Sequence, residues 1–419
     1  MNDYDVVIVG GGMVGSMLAA ALATRDGLGA SLKIALLENR APEPFEPGSD
    51  PKYDIRVSAL SAATQAMFEN VGAWQGIVDR RACPYREMLV WDGEAHGRTH
   101  FKSSEVDMPE LGHIVENRVM QLALLDRLLT LDNVDYLCPV SLQGYQLADQ
   151  GVVCDLSDGH KPITASLLVG ADGAQSTVRT LAGIEVERQA YPQHALVATI
   201  QTVLPQQDIT WQRFQPTGPE AFLPLCGNFA SMVWYHDEEE VDRLRKLSDE
   251  DFIDEMEQAF PEELGGIHKL LERGSFPIAK AHAEHYIADR VALIGDAAHT
   301  VHPLAGQGVN LGMLDAAALT DVVADAHSAG HDIGGRRQLR KYERWRRGEN
   351  SIMISILDGF YHAFKPQATA FQKVRSAALN IADSAGPLKR FVMHYALGTS
   401  GQLPTLAKKS FKVIRSNQE

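Results

Sequence analysis

The sequence predicts an α/β fold: a mostly parallel sheet flanked by helices, an antiparallel sheet inserted into the chain, and a helical C-terminal region. Three patterns carry this expectation. The first 40 residues read strand–helix–strand around a glycine-rich turn. Residues 190–235 change to short β-like segments, ALVATIQTV, TWQRFQ, EAFLPL and NFASMVWY, separated by Pro, Gly and Asp. After residue 310 the chain reads as almost entirely helical.

Taken in order, residues 4–10 (YDVVIVG) form a short apolar run that suits a buried parallel strand. Residues 13–25 are rich in Ala, Leu and Met and predict a helix; residues 32–38 (LKIALLE) predict a second strand. The proline-rich stretch 41–51 excludes regular structure. Helices are expected at 58–71 and 117–131, and strands at 151–156 and 164–170. The acidic stretch 237–258 has helical spacing with charge on several faces, and a solvated surface helix is expected there. Residues 290–295 (RVALIG) return to a buried strand.

Composition narrows the function classes. With 419 residues, the chain exceeds one ordinary core, so two lobes or one elaborated α/β domain are expected. A net charge of −15 argues against a general nucleic-acid binder, which needs a basic surface. The C-terminal stretch opposes this balance: Lys389, Arg390, Lys408, Lys409, Lys412 and Arg415 face only Glu419. Such a basic tail suits a solvated helix, an anionic membrane surface or an acidic partner. The four cysteines show no CxxC spacing and no Cys/His cluster, so reduced core thiols in a cytosolic protein are expected, with no metal site. No apolar run reaches about 18 residues, and no leader segment precedes the first strand.

Three motifs carry the chemistry. The first, Gly10-Gly11-Gly12-Met13-Val14-Gly15, is a GxGxxG turn between strand and helix. Gly10 permits the tight turn, Gly12 lets backbone approach a pyrophosphate, and Gly15 lets helix and strand pack closely. The helix N-terminus offers N–H groups and a positive dipole end to phosphates. Glu38 closes the second strand about 20 residues on, where a carboxylate binds ribose hydroxyls and repels a 2′-phosphate. This selects FAD or NAD over NADP. The second motif is Gly170-Ala171-Asp172-Gly173 through Arg179. The third is Gly295-Asp296-Ala297-Ala298-His299, continuing through Pro303 and Gly306-Gln307-Gly308-Val309-Asn310. There a buried strand delivers Asp296 at its C-terminal end, and a second glycine-rich helix start can stabilise negative charge on a reduced flavin ring.

These motifs resemble the flavoprotein aromatic hydroxylases of the p-hydroxybenzoate hydroxylase type. Asp54-Ile55-Arg56, Val115-Glu116-Asn117-Arg118, Ala221 to Leu225, the run GDAAHTVHPLAGQGVNLG, Tyr342-Glu343-Arg344 and Asp358-Gly359-Phe360 resemble the ubiquinone-biosynthesis hydroxylases within that class. The resemblance covers nearly the whole chain. It implies a discontinuous FAD-binding domain at 1–80, 110–180 and 280–330, a β-sheet substrate domain at 81–109 and 181–279, and a helical region at 331–419.

By the same resemblance, Gly10, Gly12, Met13, Val14 and Gly15 meet the FAD pyrophosphate and Glu38 the adenosine ribose. Arg56 and Arg118 approach the phosphate and ribityl region, Asp172 helps bind FAD, and Asp296 holds the ribityl chain. Pro303, Gly306, Gln307, Gly308, Val309 and Asn310 flank the flavin ring. Apart from the resemblance, the apolar run Phe222, Leu223 and Pro224 suits either a dry wall by the substrate or plain core packing. No acid or base residue is assigned, and His299 is as well explained by structure as by proton transfer.

The implied reaction is hydroxylation of a polyprenylated quinol by O2 through a flavin C4a-hydroperoxide, with NAD(P)H as donor. Some segments resemble the demethoxyubiquinol hydroxylase (Cys83 to Arg86, Thr210 to Phe214) and others its sister acting on an earlier polyprenylphenol (Leu196 to Ile200, Leu339 to Arg344). A hydroxylase of soluble aromatic acids and an assembly subunit with a vestigial FAD site are the remaining readings. A flavin halogenase is disfavoured because WxWxIP is absent. A cytoplasmic chain is expected, and the substrate's membrane-partitioning tail gives the basic C-terminus a task, docking at the inner membrane to an anionic bilayer or to a partner enzyme.

Overall fold

The computed structural model describes residues 2–25, 28, 32–46, 52–94, 96–259, 262–302, 307–364, 376–377, 379–380, 383 and 386–408. Its first half runs β1 (Tyr4–Val9), α1 (Met13–Thr24), β2 (Ile34–Leu37), β3 (Val57–Leu60), α2 (Ala62–Val71), α3 (Trp74–Val78) and β4 (Cys83–Tyr85). There follow β5 (Glu87–Asp92), β6 (Arg98–Lys102), β7 (Gly112–Glu116), α4 (Asn117–Leu128), β8 (Val134–Leu137), β9 (Leu142–Ala148), β10 (Gly151–Leu156), β11 (Ile163–Gly170) and α5 (Thr177–Leu181). The central part is β12 (Val186–Thr202), β13 (Ile209–Gln215), β14 (Gly218–Leu225), β15 (Phe229–Asp237), α6 (Glu238–Lys246), α7 (Asp249–Glu257) and β16 (Ile267–Ala283). The chain closes with β17 (Ile287–Ala288), β18 (Val291–Leu293), β19 (His299–Thr300), α8 (Gln307–Ser328), α9 (Arg336–Phe364) and α10 (Gly386–Ala396).

The mixed α/β architecture follows from where the apolar runs pair. β18, β11, β1, β2 and β8 form a parallel sheet, extended by antiparallel β17, β10 and β9. Val6, Val7, Ile8 and Ile34 to Leu36 have no exposed surface, because helices cover both faces of the parallel strands. A second sheet runs β19-β16-β12-β15-β14-β13-β5-β6, and β3, β7 and β4 form a small third sheet.

Four details depart from the sequence reading. The expected helix at 58–71 starts late: Val57–Leu60 is strand, and Ser61 caps α2 by accepting from the Thr64 amide. The inserted sheet is antiparallel except at β5–β13, which run parallel. β5 enters from a separate part of the chain, so no hairpin fixes its direction. The acidic stretch is two helices, broken at Ser248, which caps α7. Nor is it solvated all round: Val241, Leu244, Phe252 and Met256 are buried against β12, β14 and β15 residues of the second sheet. Finally, Lys389 is not a free tail charge. It is buried and pairs with Glu105 at 2.8 Å and Asp383 at 3.2 Å, so α10 is pinned beside β6.

Candidate flavin site

The glycine turn has the geometry its spacing requires. Gly10 sits at φ +105, and a Cβ there would lie 2.4 Å from the Ala171 carbonyl oxygen. A Cβ on Gly15 would lie 2.0 Å from the Gly10 carbonyl oxygen. Both positions therefore exclude any side chain. Gly12 differs: a Cβ there meets nothing within 4 Å, so the space in front of it is open. Gly12 is also the N-cap of α1 and supplies no capping side chain, which leaves the first amides of the helix unpaired. Open space, free amides and a helix N-terminus together fit a pyrophosphate.

Glu38 accepts from the Gly11 amide at 2.7 Å and the Arg40 amide at 2.9 Å. It is half-buried, and lone pairs remain on both oxygens for sugar hydroxyls. Met13 opens α1, while Val14 packs against protein: Cβ atoms added to Gly295 and Gly312 would meet its methyls at 3.3 and 2.8 Å. These contacts bring the third motif onto the first. Arg118 begins the turn of α4 beside this cleft. Its Nη1 lies 3.5 Å from Glu43, and its Nε is buried without a partner, a donor that a phosphate or ribityl oxygen can satisfy.

Asp296 is exposed, yet its carboxyl is raised above the ordinary range, first by burial among protein atoms, with Asp315 adding and His299 and Arg56 opposing. The two facts are reconciled if the side chain opens into a deep cleft rather than onto the outer surface. Arg56 is exposed at the same cleft. The residues present thus fit FAD, from Gly12 and Glu38 at one end to Asp296 at the other.

Other expected contacts are used within the chain. Asp172 accepts from the Ser176 hydroxyl and from the Thr177 and Val178 amides at 2.7 and 3.1 Å, so it organises the start of α5. Asn310 accepts from the Ser61 amide at 3.1 Å and donates to the Ala59 carbonyl at 2.9 Å. It fastens α8 to the β3–α2 junction. Gln307 starts α8, a Cβ added to Gly308 would come no nearer than 4.0 Å to Val301, and Val309 packs on the main core. Pro303 and Gly306 lie outside the described residues.

The dry wall is corrected by strand alternation. Phe222 faces Val241, Leu244, Phe252 and Met256 under α6 and α7. Leu223 faces the other way, with Tyr53, Tyr85 and Phe229. Pro224 is buried opposite Ala230. Neighbouring residues on a strand cannot line one face.

Several groups had no sequence signal. Asp315 on α8 is wholly buried. It accepts from His299 Nε2 at 2.5 Å, Arg346 Nε at 2.7 Å, Asn350 Nδ2 at 3.0 Å and the Gly295 amide at 3.1 Å. Burial alone would raise its carboxyl, but His299 and Arg346 outweigh this and hold it lowered to about 2. His299 is thereby tied up in the scaffold. Arg179, also buried, donates to the Ala297 carbonyl at 2.8 Å and the Ala174 carbonyl at 2.8 Å, joining the second motif to the third. Gln121 donates to the Gly11 carbonyl at 3.0 Å.

Beyond the third motif lies an aromatic box. His302 is 3% exposed, and neither ring nitrogen has a partner among the described residues. The Tyr191 ring stands edge-on to it at 4.7 Å, with Tyr361 at 5.6 Å and Tyr235 at 5.8 Å. Burial lowers the His302 imidazole to about 4, with Asp358 opposing, so it is neutral at pH 7. The Tyr191 hydroxyl donates to Asp358, which also pairs with Lys280. Burial would raise Asp358, but these two partners hold it below the usual range.

The FAD binding domain family matches residues 3–348. 3-Demethoxyubiquinol 3-hydroxylase of Escherichia coli is 39% identical over 94% of this chain and 98% of its own length. The chain belongs to the FAD-dependent hydroxylases of ubiquinone biosynthesis. Ubiquinone hydroxylase UbiL of Rhodospirillum rubrum is 35% identical, covering 94% of this chain and 90% of that protein. In fold, this hydroxylase is similar to the FAD-dependent monooxygenase PqsL of Pseudomonas aeruginosa, with TM-score 0.75 and 24% identity over 90% of this chain and 99% of that one. It is also similar to p-nitrophenol 4-monooxygenase PnpA of Pseudomonas putida, with TM-score 0.76 and 17% identity over 96% and 99%. Among the described residues, no His, Cys, Asp and Glu cluster can hold a metal ion.

Replacing Asp315 by Ala should leave Arg346 buried without its counter-charge and cost about 3–5 kcal/mol in chemical denaturation. In the native protein the Asp315 carboxyl is depressed from about 3.9 to about 2. Its stabilisation is therefore complete above about pH 5 and is lost as pH falls toward 2. Denaturation from pH 6 to pH 2 should show an acid limb that Asp315→Asn flattens; an unchanged limb would refute this role.

Proposed function

We propose that this hydroxylase adds oxygen to the ring of demethoxyubiquinol, a polyprenylated quinol, using FAD, O2 and NAD(P)H. The observation that carries the reading is the near full-length match to 3-demethoxyubiquinol 3-hydroxylase, together with the open space before Gly12 at the start of α1. The sheet built on β1 is taken as the cofactor side and the second sheet as the substrate side.

The chain's own residues divide the work. The Gly10–Gly15 turn and α1 hold the pyrophosphate, Glu38 the ribose, and Asp296 and Arg118 the ribityl region. The N-terminus of α8 has no acidic residue in its first turn, so its dipole is free to stabilise charge on the ring. FAD bound there would, once reduced, supply the electrons that activate O2 for transfer of one oxygen atom. The aromatic box excludes water, which would otherwise divert that oxygen. His302, neutral and unpaired, accepts the hydrogen bond of the substrate's ring hydroxyl; Tyr191, fixed by Asp358 and Lys280, holds the imidazole edge-on.

Complementation of bacterial strains each lacking one ubiquinone hydroxylase tests the reading. Rescue of the demethoxyubiquinol step is expected. Rescue of an earlier ring hydroxylation would instead assign the sister reaction, and rescue of none would overturn the family-level assignment of substrate. His302→Ala should lower kcat/KM for hydroxylation roughly 10- to 100-fold, the loss of one buried hydrogen bond, while FAD stays bound and NAD(P)H oxidation turns to peroxide formation. Unchanged product yield would remove His302 from the substrate site.

Among the described residues no helix is long and apolar enough to cross a membrane. We infer peripheral contact with an anionic bilayer through α10 and the tail after it. Phe391 and Val392 are 62% and 46% exposed beside exposed Arg390. Lys409, Lys412 and Arg415 lie outside the described residues. A truncation from residue 404 would strip buried Leu406 and the Thr405 amide bond to Asp321, so the cut belongs after Lys408. That truncation should reduce flotation with anionic liposomes; equal flotation would sink the docking role.

A further inference from the structure

Two of the four cysteines meet across separate sheets. Cys83 lies on β4, and Cys226 lies in the turn between β14 and β15, 143 residues away by number but in the same apolar cluster with Tyr53 and Tyr85. The Cys226 thiol donates to the carbonyl of Ala82, the residue before Cys83, at 3.6 Å. The Cys83 thiol in turn donates to the Pro84 carbonyl at 4.0 Å, so both sulfurs sit on carbonyls of the one short segment 82–84. Arg81 stands beside them, its guanidinium 4.1 Å from the Tyr53 ring centroid and paired with Glu116 at 2.7 Å.

We propose that Cys226 and Cys83 form a peroxide-oxidisable dithiol, with Cys226 as the attacking sulfur and Cys83 as the resolving one. The roles follow from the surroundings. Cys226 is half-buried and reachable, whereas Cys83 is 5% exposed. The neighbouring Cys83 lowers the Cys226 thiol below its ordinary range; burial opposes this and Arg81 assists it. Cys83 is pushed up, first by its bond to Cys226 and then by burial. A reactive thiolate needs just this setting: a donor, a nearby cation and partial access.

The chemistry balances. The Cys226 thiolate attacks one oxygen of hydrogen peroxide, the O–O bond breaks, and a sulfenic acid and water result once a proton is taken up. The Cys83 thiol then attacks that sulfur, the S–S bond forms, and a second water leaves. Two thiols lose two electrons and two protons, and one peroxide is reduced to two waters. Peroxide is what reduced flavin and oxygen yield when no substrate takes the oxygen, so the enzyme generates the oxidant itself. The inference needs only a flavin that reacts with oxygen, and it stands whichever ring carbon is hydroxylated.

The resulting bond would tie the third sheet to the second. It would sit next to the Arg81–Glu116 pair, and Glu116 accepts the Asp54 amide at 2.7 Å in the segment that carries Arg56. A covalent change there is therefore adjacent to the flavin cleft.

The FAD-loaded protein, treated with hydrogen peroxide and mapped by differential alkylation, tests this. A Cys83–Cys226 disulfide that dithiothreitol reverses is expected, with Cys138 and Cys154 still alkylated. Cys83→Ser should stop at a sulfenic acid that dimedone traps at residue 226. Cys226→Ser should lose the fast phase of oxidation altogether, because the buried Cys83 thiol is left without its reactive partner. Four free thiols after treatment of the native protein, first oxidation at Cys138 or Cys154, or an unchanged rate in Cys226→Ser would each overturn the proposal.

Discussion

Asp315 holds a charge where water cannot reach it, and its four partners come from four different places: the end of β18, the turn at β19, and two successive turns of α9. A buried carboxylate is tolerable only when its lone pairs are filled and a counter-charge is near. Asp315 meets both conditions, and in doing so it fixes the Gly295 amide and His299 on either side of Asp296. The segment expected to hold the ribityl chain is thus set by a charge that no ligand touches. Arg179 acts from the opposite side on the Ala297 carbonyl. The cleft wall is clamped between a buried anion and a buried cation.

Close backbone contact completes the framework. Gly10, Gly15 and Gly312 each stand where a methyl group would collide, at 2.4, 2.0 and 2.8 Å respectively. The first two bring β1, α1 and the Ala171 loop together; the third brings α8 onto Val14. Gly12 shows the other use of glycine, since nothing in the protein fills the space before it. Glycines of one motif therefore separate into those that permit packing and one that leaves room.

The parts legible in the sequence were those written locally. A strand, a glycine turn and a helix within 40 residues identify themselves by period and spacing, and β1, α1 and β2 follow that pattern. The same locality explains the failures. Phe222, Leu223 and Pro224 read as one apolar stretch, but alternation sends Phe222 under α6 and α7. The break in the acidic stretch was present in Ser248, whose side chain accepts from the Asp251 amide, yet charge masked it. Arg346 and Asn350 belong to a helix whose sequence gives no hint that one face reaches a buried aspartate 31 and 35 residues back. Tyr191, Lys280, His302 and Asp358 meet only because β12, β16 and α9 converge.

That convergence bears on selectivity for a quinol. A charged imidazole in the aromatic box would favour an anionic ring substituent, such as a carboxylate, and would repel nothing neutral strongly enough to exclude it. His302 is instead kept neutral by burial, while the charge of Asp358 is matched by Lys280 on the far side of Tyr191. The box thus offers aromatic faces, an unpaired neutral imidazole and no unmatched charge. A soluble aromatic acid would have to bury its carboxylate there without a partner, at a cost of several kcal/mol. A ring that presents only hydroxyl, methoxy and alkyl groups incurs no such cost, which is the physical reason to prefer the polyprenylated quinol over the aromatic acid.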